Sequence, residues 1–364
     1  MNTRSYSLRE DVRIYFHNDD EIRLRKGVWN YVEAMVNLRD QPPKVRTFFR
    51  HVVDRLSKEQ EVDVERLASE ANLLPDEASA FQKMFDDVAR QGFFYASDEA
   101  RIRRTLTGIL GGNRTGLEQY VTRAAPVLLL SDNPLARETA SSTAKHMGLP
   151  LQLLDPEIMD GLASVDLTTR MDGVEHEKAM QKYERYFADF SCVAGVLLTP
   201  NVSLLRNVNR ILVKQEKAFV LGLIDGPFAS VFATIAQQSG CFECYEGRLL
   251  ARLEDTQVYY RFVEATSSQV RYNEAGVAFA PVSTILASAV LMEAALMSAL
   301  GLSRLAGRVM SIYMPLLEIQ MQDLLRIPYC PACGHIARNQ MSEMYLNSQA
   351  VMNRMIERIE LRKD

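Results

Sequence analysis

Gly240-Cys241-Phe242-Glu243-Cys244 and Tyr329-Cys330-Pro331-Ala332-Cys333-Gly334 hold four of the chain's five cysteines, as two tight pairs with 85 residues between Cys244 and Cys330. A Cys-x-x-Cys turn aims two sulfurs at one point about 2.3 Å away, the zinc–thiolate distance, and two such turns complete a tetrahedron. One pair alone could be a redox motif. Two pairs, the second followed by a glycine that eases the tight knuckle, read as one structural Zn2+ held by Cys241, Cys244, Cys330 and Cys333. The competing readings are two unrelated thiol turns, or disulfides in an exported protein.

The surrounding composition narrows that choice. Met1-Asn2-Thr3-Arg4-Ser5 leads into no apolar run, so no signal peptide is visible and a cytoplasmic, reducing location is expected, which favours metal over disulfide. The longest apolar stretch, 277–302, is broken by Pro281, Ser283, Ser288 and Glu293 and reads as a buried helix, not a membrane span. A net charge of −4 leaves no electrostatic footprint for nucleic acid or an anionic membrane. With 364 residues the chain exceeds one ordinary core, so more than one domain is expected.

Residues 1–96 read as a self-contained unit. Val12-Arg13-Ile14-Tyr15-Phe16 and Ile22-Arg23-Leu24 alternate around Asn18-Asp19-Asp20, a hairpin signal, and a third extended segment runs from Val28 through Tyr31 to Val36. Helical spacing follows: Val45, Phe48, Phe49, Val52, Val53 and Leu56 share a face. A second helix carries Val64, Leu67, Ala68 and Ala71 with Asp63 as N-cap, and a third spans 76–91 with Phe81, Met84, Phe85 and Val88 inward and Gly92 as its stop. Strands, three helices and an extended return make the winged helix-turn-helix pattern. Such modules usually read DNA with the third helix, but this one carries Asp76, Glu77, Asp86 and Asp87 against Lys83 and Arg90, which phosphates would repel. A peptide added beside a strand edge suits it better. Residues 97–125 form an arginine-rich linker.

From 126 the texture becomes α/β. Val127-Leu128-Leu129-Leu130, a helix over 137–147 and a strand over 151–155 ending in Asp155 lay out a dinucleotide-type βαβ unit. Where a glycine loop would cradle phosphate stands Ser131-Asp132-Asn133-Pro134-Leu135-Ala136, with no glycine, one amide lost to Pro134 and a carboxylate in the anion's place. Strands over 193–198 and 219–224, a helix over 201–216, a buried helix over 281–300, a strand at 310–314 and a charged C-terminal helix over 349–362 complete the reading. Cys192 sits in an apolar run that blunts a thiol, so no nucleophile stands out.

The two knuckles, the long helix between them, the altered glycine loop and the N-terminal unit together resemble the degenerate ubiquitin-activating-like (ThiF/MoeB-like) C components of cyclodehydratases in thiazole/oxazole-modified peptide biosynthesis, of the streptolysin S type. The resemblance covers essentially the whole chain. It implies an N-terminal winged-helix peptide recognition element over 1–96 and a degenerate Rossmann-like domain with a four-cysteine zinc site over 126–364. It implies a scaffold without chemistry of its own, needing no nucleotide, that binds the leader of a ribosomal precursor peptide. A YcaO-type cyclodehydratase subunit would use ATP to close azoline rings, an FMN-dependent dehydrogenase subunit would oxidise them, and related folds often pair as homodimers. The leader would lie between Tyr31, Val32, Glu33, Ala34, Met35 and Val36 on one side and Phe81, Met84, Phe85 and Val88 on the other. Two rival readings are an ATP-dependent adenylating enzyme of the ThiF/MoeB class and a zinc-containing winged-helix transcription regulator.

Overall fold

The structure, a computed structural model, describes residues 5–18, 20–58, 61–96, 101–110, 124–169, 173–236, 238–266 and 280–334. The chain divides into two compact units, Met1–Thr122 and Arg123–Asp364. The C-terminal helix expected over 349–362 and the glycines and last arginines of the linker lie outside the described residues.

The first unit opens with β1 (Ser5–Leu8), β2 (Val12–Asn18), β3 (Glu21–Lys26) and β4 (Val32–Asn37). Strands β2, β3 and β4 form an antiparallel meander, with Ile22, Leu24 and Val36 turned into the core. Next come α1 (Pro43–Lys58), β5 (Val62–Asp63), α2 (Val64–Glu70), α3 (Pro75–Arg90), β6 (Phe94–Ala96) and α4 (Arg101–Ile109), and β1 pairs with both β5 and β6 in a second sheet. All six apolar positions expected on α1 are buried, the result of an i, i+3, i+4 stripe facing a core. Asp63 caps α2 by accepting from the Arg66 amide at 2.9 Å, and Gly92 at φ +86° turns the chain after α3. The core is aromatic, with Phe48, Phe49, Phe81, Phe85 and Phe94 in mutual ring contact. Against the expectation of an extended run from Val28, the strand begins at Val32. Gly27, at φ +83°, bends the chain, and Arg25 Nη2 holds the bend by donating to the Val28 carbonyl at 2.9 Å.

The second unit is built on a seven-stranded mixed sheet. In chain order it contains β7 (Val127–Ser131), α5 (Pro134–Met147), β8 (Leu151–Leu153), α6 (Pro156–Ser164), α7 (Gly173–Phe187), β9 (Cys192–Leu197), α8 (Val202–Lys214), β10 (Ala218–Asp225) and β11 (Phe228–Thr234). After these come α9 (Phe242–Leu250), α10 (Thr256–Thr266), α11 (Ala280–Leu300), β12 (Arg308–Tyr313) and β13 (Glu318–Asp323). The strand order is β13-β12-β11-β10-β9-β7-β8, parallel from β8 to β10 and antiparallel beyond. Strands β7 and β9 are wholly buried, as apolar strands of a sheet covered on both faces must be.

Helix α11 is the one described helix long and apolar enough to cross a membrane by length and composition. It packs instead on β9, β10 and β11. Leu286, Val290 and Ala294 are fully buried, and Gly222 leaves room for it, since a Cβ there would stand 2.7 Å from Val290 Cγ2. Its buried Glu293 is met by Arg304 and Ser303 at 2.7 Å each. The strand expected to end in Asp155 stops at Leu153, and Asp155 is the N-cap of α6, accepting from the Glu157 amide at 2.8 Å. The acidic residue expected at the end of that strand thus caps a helix instead.

Candidate functional site

The fold brings Cys241, Cys244, Cys330 and Cys333 to one point. Cys241 is the residue before α9, and the second pair follows the strand β13 that closes the sheet. Gly240 lies so close to the Leu324 and Leu325 carbonyls that a Cβ would sit 3.0 Å from each, and at Gly334 a Cβ would stand 2.5 Å from the Cys330 carbonyl oxygen. Backbone approach therefore demands glycine at 334 and leaves a side chain at 240 only a tight fit.

The four sulfurs lie within 4.8 Å of one another, with Cys241–Cys244 at 3.9 Å, Cys241–Cys330 at 3.6 Å and Cys244–Cys333 at 3.4 Å. A tetrahedral ion with bonds of about 2.3 Å spaces its sulfurs about 3.8 Å apart, so the cluster is compatible with a structural zinc site. The separations are far beyond a disulfide bond, and all five cysteines are free thiols. The donor set is complete with four sulfurs, all buried, which suits a closed, non-catalytic site. Four thiolates packed this tightly repel one another unless a cation sits among them. Neighbouring N–H groups supply further compensation: the Ile327 amide donates to Cys244 Sγ at 3.3 Å and Asn209 Nδ2 to Cys241 Sγ at 3.6 Å. Asn209 Oδ1 also accepts from the Phe242 amide at 3.1 Å, pinning the first knuckle to α8.

The altered glycine loop can be followed atom by atom. Asn133 caps α5 by accepting from the Ala136 amide at 3.0 Å, and Pro134 takes the first helical position. The Asp132 carboxylate accepts from the amides of Leu198 (3.0 Å) and Thr199 (2.7 Å) and from Thr199 Oγ1 (2.9 Å). An acidic group, tied to the end of β9, stands where a polyphosphate would need donors.

In the first unit, β4 is an edge strand, hydrogen-bonded to β3 alone among the described residues. The Leu38 amide donates to the Asp20 carbonyl at 2.7 Å, which makes Asp20/Leu38 a hydrogen-bonded pair of the antiparallel ladder. Alternation from that pair turns the backbone groups of Val32, Ala34 and Val36 toward β3 and those of Glu33, Met35 and Asn37 toward the open edge. Side chains follow the other period: Val36 points into the core, whereas Met35 is 59% exposed on the opposite face. Glu33 is held by Tyr15 Oη at 2.8 Å and Arg23 Nη1 at 2.8 Å, and the bond from Tyr15, ahead of the Arg23 charge, keeps its carboxyl below the ordinary glutamate range despite some desolvation.

Most of the α3 side chains expected to line a groove beside this edge are buried. Phe81, Phe85 and Val88 of α3 are buried among α1, β6 and their neighbours, and only Met84 of the four is partly accessible. Their spacing revealed a buried face, and what buries it is the unit's own core. Sequence reasoning also passed over Trp29. The chain's one tryptophan is 90% exposed, in the turn leading into β4, beside the exposed Val28, Tyr31 and Val32. Its signal was an apolar Val-Trp pair directly after a turn glycine. The Arg25 guanidinium lies 3.7 Å from the centre of the Tyr31 ring and stiffens that turn.

No protein-family model matches the chain, and no curated protein matches it by sequence. Among solved structures, it is similar to the heterocyclase TruD, with a TM-score of 0.56 at 11% identity over 93% of this chain and 44% of that one. A heterocyclase solved in complex with substrate and cofactor gives 0.53 at 12% identity over 91% and 40%. E. coli MccB with SeMet MccA superposes more loosely, with a TM-score of 0.43 at 14% identity over 91% of this chain and 100% of that one. At such identities the likeness is one of fold, and this chain spans less than half the length of either heterocyclase.

Proposed function

We propose that this chain is the leader-binding scaffold subunit of a heterocyclase. The reading rests on one observation above the others: among the described residues β4 presents an unpaired backbone edge flanked by exposed apolar side chains, in a chain whose fold is similar to part of a heterocyclase. A precursor peptide adding as a strand would gain main-chain hydrogen bonds from Glu33, Met35 and Asn37 and side-chain contact from Trp29, Tyr31, Val32 and Met35. The first unit is on this reading a winged-helix recognition element.

Ring formation is assigned on this reading to a partner subunit. A YcaO-type subunit would use ATP to activate the backbone amide, and an FMN-dependent dehydrogenase would complete the azole. Tethering the leader raises the effective concentration of the core peptide at the partner's site, so the scaffold needs no catalytic group. Zn2+ at the four cysteines would hold the second unit together. The Asp132 arrangement argues against an adenylating enzyme, and the acidic α3 against a DNA reader.

The test is fluorescence anisotropy of the labelled leader of a precursor peptide encoded beside this chain, with and without the YcaO-type subunit. Saturable binding is expected. No binding at tens of micromolar with the partner present, or tight ATP binding by the chain alone, would sink the reading.

A further inference from the structure

The second unit holds a cavity of about 840 Å3, lined in part by α9, the helix that also carries Cys244. It opens at the carboxyl ends of β7, β9 and β10. There the chain, having laid β8 on one side of β7, returns to lay β9 on the other, and in open α/β sheets such switch points receive ligands. Its walls are mostly apolar, with Met159, Leu197, Leu205 and Phe242 inside and Leu253 and Phe262 of the α9–α10 region exposed at the rim.

The charged side chains of the described lining have one sign. Asp132, Asp160, Asp225 and Glu246 line it, with no lysine, arginine or histidine among the described residues. Two of these are spoken for: Glu246 by Arg206 and by Tyr259 Oη at 2.6 Å, and Asp132 by the end of β9. Asp160, on α6, and Asp225, at the end of β10, are exposed and enter no ion pair among the described residues. Among the described lining residues a phosphate-bearing ligand would meet four carboxylates and no cation. A cationic one would gain charge complementarity beside an apolar wall.

We propose that this cavity binds a short apolar peptide segment carrying a basic side chain, its apolar residues against Leu253, Phe262 and the inner wall and its cationic group on Asp160 or Asp225. A volume of this size takes several side chains, and the two acids stand on separate elements at the mouth, an arrangement that suits a chain of residues better than a single small amine. The site is a second peptide site, independent of the β4 edge.

The experiment uses the full chain and three probes: a fluorescein-labelled short peptide of leucine, alanine and phenylalanine with two lysines, the same peptide with glutamates for the lysines, and ATP. The lysine peptide should bind, and the glutamate peptide should bind at least about tenfold more weakly, a difference of about 1.4 kcal/mol. The Asp160→Lys/Asp225→Lys variant should lose at least about tenfold in affinity for the lysine peptide at an unchanged Tm, because both side chains are exposed. Phe262→Ala should weaken both peptides, and Met35→Pro, which blocks the β4 edge, should leave binding intact. Equal binding of the two peptides, an unaffected double variant, loss of binding in Met35→Pro, competition by ATP, or no binding at all would each overturn the proposal.

Discussion

Arg210 grips Glu243 with two prongs, Nε to Oε1 at 2.6 Å and Nη2 to Oε2 at 2.8 Å, while its third nitrogen, Nη1, donates to the Pro331 carbonyl at 2.8 Å. Glu243 lies inside the first Cys-x-x-Cys and Pro331 inside the second, so one side chain from α8 fastens both knuckles. Both partners are largely buried, and removing the cation strands the carboxylate. Arg210→Ala should cost about 3–5 kcal/mol and speed zinc loss to a chelator. Arg210→Lys, which keeps the charge without the fork, should fall between the two. Differential scanning calorimetry and a colorimetric zinc-release assay read both effects.

Replacing a ligand differs from loosening its support. Cys330→Ser should abolish stoichiometric zinc, measured by elemental analysis, and lower Tm or solubility generally, because structural metal binding is coupled to folding. An unaltered zinc content would refute the four-sulfur site.

The ladder parity of β4 separates two substitutions one residue apart. Met35→Pro removes an amide that faces the open edge and should weaken leader binding about tenfold or more with little change in Tm. Val36→Pro removes an amide that bonds to β3 and should unfold the meander. Anisotropy titrations and thermal melts distinguish them, and equal effects from both would place the peptide elsewhere.

Because Trp29 is the chain's one tryptophan, intrinsic fluorescence reports on a single place. A leader lying along β4 should shift its emission to the blue, as an exposed indole does on losing water. Trp29→Ala should weaken binding and erase the signal. A spectrum unmoved at saturation would remove Trp29 from the contact.

Cys192 offers a test of burial by pH. Desolvation in β9 pushes its thiol up to about 12, opposed in part by a hydrogen bond from Ser191. The folded state therefore keeps this proton where the unfolded chain releases it, so stability is full at neutral pH and falls as pH rises above the ordinary thiol range. The slope is about 1.4 kcal/mol per pH unit over that window. Cys192→Ala should be less stable at neutral pH and show a flatter decline on the alkaline side, by chemical denaturation at several pH values.

Much of the scaffold was readable because its causes are local. The six-residue stripe of α1, the Asp63 cap and the turn at Gly92 each depend on neighbours a few positions away, and the four cysteines announce themselves by spacing. The two-residue β5 and the short polar β1 were not readable, because each exists only through pairing across more than fifty residues. The same limit bears on the groove: amphipathic spacing in α3 says that Phe81, Phe85 and Val88 are covered, not by what. Strand β13, exposed along its whole length, carries no burial alternation to detect. Asn209 and Arg210 escaped notice for a related reason, since each looks like an ordinary polar position on α8 until the distant knuckles arrive.

The two knuckles also impose an order on assembly. A chain emerging from the ribosome completes β11 with one edge open, and that edge stays open until residues 308–313 are made and pair with it. The knuckles cannot meet until Cys333 has been synthesised, after β13. A metal cross-link closing a loop of this length removes about 4–5 kcal/mol worth of freedom from the unfolded chain in the chain-entropy view. We therefore expect zinc to act as the last latch, and chains stopped before Cys330 to be cut by protease within β12 and β13 while complete chains resist.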